Sequence, residues 1–229
     1  MGILIDVRSP EEYYKGHMPN SINIPLFNNE ERSIIGKKYK LSGRTNAVRE
    51  GFKIIERKID NLLEDIFLAN NKYSNLNSEE NKSQQIIKIY CARGGMRSQS
   101  ICWLLEKFSY SCLKLDGGYK SYRNYVLKSF NEKFKIIVIG GKTGTGKTNL
   151  LNKLKKLNYQ VLDLESLANH RGSTFGGLGM PDQPKNEQYE NLISENLDDF
   201  NKENIIFMEA ESPNIGKNRI PHDLYKQMI

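Results

Sequence analysis

The sequence predicts an α/β protein with parallel sheets in two successive parts, and two observations predict it. Short apolar, strand-like runs alternate with helical segments along the chain, which is the pattern of βα units. Two of these runs, "IIKIY" (86–90) and "KIIVIG" (135–140), lead straight into a glycine-rich, cationic loop and then a helix. With 229 residues, 38% of them hydrophobic, the chain can form two small cores. No stretch approaches the ~20 apolar residues of a membrane span. The start shows no basic segment followed by an apolar one, and "MGILID" lacks the Ser or Thr that myristoylation wants at position six. A cytoplasmic protein without a membrane partner is expected. The net charge of +7, from 34 Lys and Arg against 27 Asp and Glu, suits a polyanion such as nucleic acid. The three cysteines, Cys91, Cys102 and Cys112, are odd in number and contain no C-x-x-C pair. That argues against a disulfide framework or a zinc site and leaves free thiols.

In order along the chain, "ILIDVRSP" (3–10) reads as a buried strand. A helix follows, with Ser9 as its cap, Pro10 in first position and Glu12 closing a capping box. Residues 18–26 read as a turn and a short strand punctuated by Pro19 and Pro25. Val48, Phe52, Ile55, Ile59, Leu62, Leu63 and Ile66 recur at helical spacing and predict one long helix over 45–68, with Arg49, Lys53, Arg57 and Lys58 on its other face. The Asn/Ser-rich stretch 70–84 reads as a loop. Then come a strand (86–90), a helix from about Ser98 to Lys107, a strand and turn (112–118) and a helix (119–130). The second part begins with a strand–loop–helix over 134–154, and "YQVLDLE" (159–165) and "NIIFMEAE" (204–211) are further strands. The boundary is expected near 129–133, giving domains 1–130, with a helical insertion at about 36–84, and 134–229. Asp6 and Arg8 are expected to brace the fold, His17 to be a satisfied turn residue, and Cys102 to pack in the core.

Cys91 closes a buried strand at the mouth of "CARGGMRSQS". Converging backbone N–H groups and the positive end of the next helix favour anions there. Arg93 and Arg97 add charge, Gly94 and Gly95 let backbone approach an anion closely, and Ser98 opens the helix. Such a field favours a thiolate, so Cys91 is the expected nucleophile, held against a bound oxyanion.

"GGKTGTGKT" contains G-x-x-x-x-G-K-T, read as Gly141, Gly144, Gly146, Lys147 and Thr148, between a strand and a helix. Its N–H groups would wrap a di- or triphosphate, Lys147 would reach the outer phosphates, and Thr148 could hold Mg²⁺. Glu209 and Glu211 in "EAES", and Asp163 and Glu165 in "DLES", are metal or water partners by position. "LANHRGSTFGGLG" (167–179) reads as a substrate loop in which His170 and Arg171 would bind substrate or phosphate.

"LIDVRSPEEYYKGHMPNSINIP" and "LDGGYKSYR" resemble the opening and closing segments of rhodanese domains, which implies a rhodanese fold over 1–130. Cys91 to Arg97 is six steps where rhodaneses usually have five; that spacing resembles phosphatases of the same fold and implies a phosphate-sized anion. Together with the P-loop, "DLESLANHRGSTFG" and "EAESPNIG", the chain resembles the tRNA 2-selenouridine synthases. The resemblance implies a tRNA-modifying transferase that replaces the sulfur of wobble 2-thiouridine with selenium through a geranylated intermediate. Its co-substrates would be selenophosphate and geranyl diphosphate, its partners tRNA and a selenophosphate-supplying enzyme. The P-loop NTPase-like part, at 96 residues from Phe134, is shorter than the family's. The basic segment 36–44 and the 45–68 helix are the expected RNA contacts. A stand-alone sulfurtransferase or phosphatase, and an inactive RNA-binding remnant, are the alternatives.

Overall fold

A computed structural model describes residues 2–76, 86–142, 144–173 and 175–229. The chain forms two compact units, Met1–Tyr122 and Arg123–Ile229. The first holds a parallel sheet in the order β2-β1-β3-β4, with β1 at Leu4–Asp6, β2 at Ser21–Asn23, β3 at Ile87–Tyr90 and β4 at Cys112–Lys114. Its central strands bury Ile5, Ile87 and Ile89 on one face, each worth about 1.5–3 kcal/mol of transfer free energy, and Asp6 and Tyr90 on the other. Among the described residues its helices are α1 (Pro10–Lys15), α2 (Asn29–Glu56), α3 (Ile59–Leu76) and α4 (Met96–Lys107), and α5 (Gly118–Ser129) begins in it. The capping box of α1 is present with Ser9 and Glu12, and Asn28 and Glu31 form another on α2.

The single helix expected over 45–68 is corrected. α2 ends at Glu56, and α3 starts at Ile59. Lys58, between them, pairs with Glu31, while Leu62, Leu63 and Ile66 enter the core. The apolar spacing is alike on both sides of the break and no Gly or Pro marks it, so periodicity alone runs the two together. α2 itself folds back at Gly43, whose φ of 78° is non-helical. In an unbroken helix Ile35 and Gly51 would lie about 24 Å apart; here a Cβ built on Gly51 would sit 3.9 Å from the Ile35 side chain. Of the stretch expected as a loop over 70–84, residues 70–76 are helical, a further correction, and the rest lies outside the described residues. The cysteine reading is also corrected: Cys102 on α4 and Cys112 at the start of β4 form a disulfide, with Cα atoms 5.4 Å apart. Helix and strand pack directly on each other, a proximity that counting cysteines cannot detect. Cys102 does lie in the core, as expected.

The second unit has a parallel sheet in the order β5-β7-β6, with β5 at Lys135–Ile139, β6 at Gln160–Leu162 and β7 at Ile205–Glu209. Around it lie α6 (Lys147–Lys156), α7 (Leu164–Leu167), α8 (Asn186–Asp198), the hairpin β8 (Asn214–Ile215) and β9 (Asn218–Arg219), and α9 (His222–Met228). α8 buries Tyr189, Ile193 and Leu197 at helical spacing. Arg123 of α5 pairs with Glu190 and donates to Asn191 Oδ1 at 2.6 Å, and Ser129 meets Ser194 at 3.0 Å. These contacts place the dividing point inside α5, ahead of the polar stretch 129–133.

Candidate active site: a cysteine cradle and a phosphate loop

In the first unit, β3 delivers Cys91 to a short loop that turns into α4. The Gly95 N–H donates to Cys91 Sγ at 3.3 Å, and the Ser98 hydroxyl lies 3.3 Å from the same sulfur. Cys91 is free and 3% exposed. Burial opposes its ionisation; hydrogen bonds from the Ser98 side chain and from the Arg93 and Ser98 amides, with the charge of Arg97, outweigh that and lower its pKa. α4 begins at Met96, two residues before the expected start, so the helix N-terminus faces the loop itself.

The loop is held from outside by the "LDGGY" turn. The amides of Tyr119 and Lys120 donate to the carbonyls of Cys91 and Ala92, both at 2.9 Å. Lys114 Nζ donates to Gly94 O at 3.1 Å. Gly94 has a φ of 61°, and a Cβ there would meet Leu115 O at 2.6 Å. A Cβ on Gly118 would run into the Cys91 carbonyl. The glycines thus let two loops interlock.

Arg93 is exposed at the loop. The guanidinium of Arg97 does not turn to the sulfur; it grips Glu12 at 2.7 and 3.2 Å. Burial acts against ionised Glu12, but Arg97 and the Ser9 amide prevail and hold its pKa at about 2. Arg97 therefore ties α1 to α4. Asp6 and Arg8 form a buried fork, with Nη2 to Oδ2 at 2.6 Å, and Arg8 also donates to Gly16 O and lies over the Tyr119 ring. His17 stacks on Tyr13 and contacts its carbonyl at 3.0 Å.

In the second unit, β5 leads into the phosphate loop and Gly146, with a φ of 85°, starts α6. Lys147 Nζ donates to Gly141 O at 2.8 Å and lies 3.2 Å from Glu209. Thr148 donates to Glu209 Oε2 at 3.3 Å. Gly141, Gly144 and Gly146 are exposed, and Thr143 lies outside the described residues. β5 and β7 are direct neighbours with Ile139 opposite Glu209, which is why the acidic strand end meets the loop.

Three carboxylates converge here: oxygens of Glu165, Glu209 and Glu211 lie within 4.8 Å of one another. Burial, and then the charges of Glu209, Glu211 and Asp163, push the pKa of Glu165 up to about 7; burial and Glu209 raise that of Glu211. Asp163 does not end a strand. It caps α7, accepting from the Ser166 amide at 2.9 Å. The loop after α7 passes over the cluster, since a side chain on Gly172 would strike Glu165 and Glu211. His170 is buried and accepts from the Gly172 amide at 3.2 Å, while Arg171 is exposed. Hard oxygen ligands of net negative charge, two of them with raised pKa, fit a divalent cation such as Mg²⁺. Sequence reasoning named each carboxylate but not their meeting, and it missed the bracing turn at Gly117–Lys120.

Residues 1–125 match the rhodanese-like domain family, and residues 134–229 match the family described as the tRNA 2-selenouridine synthase AAA domain. Among curated proteins, the tRNA 2-selenouridine synthases of Nitrosomonas europaea, Nitrosomonas eutropha and a Sulfurovum species are 33%, 36% and 37% identical, each over 98% of this chain and over 57%, 56% and 59% of their own length. A solved N-terminal domain from Clostridium difficile 630 is 43% identical, covers 55% of this chain and 88% of that one, and has a TM-score of 0.45. The chain thus spans under two thirds of the curated relatives' length. With a match over more than half of its residues, the chain belongs to the rhodanese-like domain family, and the rest of it matches the AAA domain of the tRNA 2-selenouridine synthases.

Proposed function

We propose that the chain acts in replacing the sulfur of wobble 2-thiouridine in tRNA with selenium, by way of a geranylated thiouridine. The observation that carries this reading is the presence, in one polypeptide, of a thiolate-favouring cysteine cradle and a phosphate loop backed by carboxylates. The second lies in a domain named for this synthesis, and curated relatives named for it match 98% of the chain.

The phosphate loop would bind geranyl diphosphate through the N–H groups around Gly141, Gly144 and Gly146. Lys147 would leave Gly141 O and Glu209 for the diphosphate, and its charge would stabilise the leaving group as the thiocarbonyl sulfur attacks the allylic carbon. Glu209, Glu165, Glu211 and Thr148 would hold Mg²⁺, which when bound supplies further neutralisation of diphosphate charge. Exposed Arg171 would contact a phosphate, and buried His170 would shape its loop. In the first unit, the Cys91 loop with Arg93, Gly94, Gly95 and Ser98 would hold selenophosphate. The selenium of selenophosphate would bond to the base carbon as the alkylated sulfur leaves as a thiolate, and water would then take the phosphoryl group as phosphate, breaking the P–Se bond. Of the expected RNA contacts, Lys37, Lys38, Lys40, Arg49, Lys53 and Arg57 are exposed, while Lys58 pairs with Glu31. Phosphate contacts of this kind weaken steeply with salt. A selenophosphate-forming enzyme would supply the donor.

The test is incubation with 2-thiouridine tRNA, geranyl diphosphate, Mg²⁺ and selenophosphate, followed by nucleoside mass spectrometry. Wild type should form geranylthiouridine and then selenouridine. Lys147→Ala should lose the first product and Cys91→Ala only the second. Salt-sensitive tRNA binding with neither nucleoside would refute the reading. Turnover of thiosulfate or a phosphate ester without tRNA would point instead to a stand-alone activity of the first unit.

A further inference from the structure

We infer that the first unit holds a binding site for a hydrocarbon chain with an anionic head, in the cavity between the two arms of α2 and the first turn of α4. The cavity measures about 440 Å³, within the roughly 300–1,000 Å³ of small-molecule sites. Its wall is mostly apolar, with Phe27, Ile35, Val48, Phe52 and Ile55 from the α2 region and Met96 from α4. Several of these side chains are not covered by the protein: Phe52 is 64% and Met96 50% exposed. Exposed apolar area gathered around a concavity marks a place where something apolar binds.

Gly51 supports this. It lies inside the second arm, where glycine costs about 1 kcal/mol relative to alanine. Its backbone is not in the left-handed region, so conformation does not require glycine. A Cβ there would point at Phe27 at 3.4 Å and Ile35 at 3.9 Å, into the cavity wall. The missing side chain keeps the space open.

The charge at the cavity selects the head group. Arg44 lines it and is exposed, and its guanidinium donates to Met96 Sδ at 3.6 Å, a weak acceptor. Among the described residues it pairs with no carboxylate, whereas Arg97, also in the wall, is taken by Glu12. Lys37, Lys38, Lys40, Arg49 and Lys53 on the same two arms are exposed. A second copy of this like-charged face is disfavoured, and an anionic amphiphile is attracted. The cavity also adjoins the cysteine cradle: Gly95 donates to Cys91 Sγ, and the next residue, Met96, is cavity wall. If the chain is the geranyl group of an alkylated thiouridine brought to Cys91, that identification rests on the proposed function; the chemistry of the cavity does not.

The experiment is calorimetric titration of the full chain carrying Lys147→Ala, which weakens phosphate binding at the other site, with monomeric decyl phosphate, decanol and inorganic phosphate. Decyl phosphate should bind at least tenfold tighter than inorganic phosphate. Phe52→Glu, at an exposed position that folding tolerates, should lower its affinity at least tenfold, and Gly51→Leu likewise. Arg44→Gln should weaken decyl phosphate severalfold and leave decanol unchanged. Equal binding of decyl and inorganic phosphate, or wild-type binding by Phe52→Glu, would overturn the inference. So would a dimer that Phe52→Glu dissociates, which would give the face to a second copy. Chain binding together with a wild type that makes no geranylated nucleoside would support the cavity while the proposed function fell.

Discussion

The two glycine-rich loops share a plan and differ in how they are held. Each follows a parallel strand, is rich in glycine and opens a helix. The cysteine loop is locked: a second turn hydrogen-bonds its carbonyls, Arg97 and Glu12 tie its helix to α1, and the Asp6–Arg8 fork lies buried beside it. The phosphate loop is open: its glycines are exposed, and its lysine rests on its own backbone and on Glu209. Fixed hydrogen bonds around the sulfur lower the Cys91 pKa, and the fold builds them. A phosphate ligand, as proposed, would bring its own charge, so Glu209 would need only to keep Lys147 placed until the ligand replaced it. Preorganisation thus belongs to the protein in one unit and partly to the ligand in the other.

The largest effect that could break this contrast comes from the buried fork. Arg8→Ala leaves Asp6 unpaired where neither is exposed, and should cost the first unit about 3–5 kcal/mol in urea unfolding. A loss below about 1 kcal/mol would mean the locked loop does not depend on it. Lys147→Ala should leave thermal unfolding nearly unchanged yet weaken diphosphate binding about ten- to hundredfold, as expected for a lost charged hydrogen bond. A matching fall in stability would make the lysine structural. Ser98→Ala should raise the Cys91 pKa and slow its alkylation by iodoacetamide at pH 7 about fivefold, with the rate–pH midpoint moving up.

Two pH effects sharpen the contrast further. Glu12 is depressed to about 2, so its pairing stabilises the fold above the ordinary carboxylate range and is lost as pH falls towards 2; Glu12→Gln should flatten acid unfolding there. Glu165, raised to about 7, holds a proton below that pH, and a divalent cation must displace it. Mg²⁺ affinity should rise as pH passes upward through 7, with protons released in calorimetry, and Glu165→Gln should remove that dependence.

Much of the frame was legible in the sequence because it is local. Ser9, Pro10 and Glu12 announce α1, and the turn residues and apolar runs announce the strands. The break at Arg57–Lys58 was not legible, since the apolar spacing continues across it and the partner of Lys58 there, Glu31, is distant in sequence. The disulfide was hidden for the same reason: ten residues separate Cys102 and Cys112, and helix-on-strand packing brings them together. α8 left a signal in Tyr189, Ile193 and Leu197 at four-residue spacing, which periodicity would have found.

By itself, then, the sequence determined the two strand–loop–helix motifs, their order and the residue types they carry. A glycine-rich loop between strand and helix takes its shape from neighbours a few residues away. Only the tertiary structure decided that Glu165, Glu209 and Glu211 meet beside Lys147, that Arg97 serves Glu12 rather than the sulfur, and that the arms of α2 enclose an apolar cavity. Those arrangements depend on sheet order and on where distant helices pack, and side chains far apart in sequence converge only once long-range packing has fixed their register.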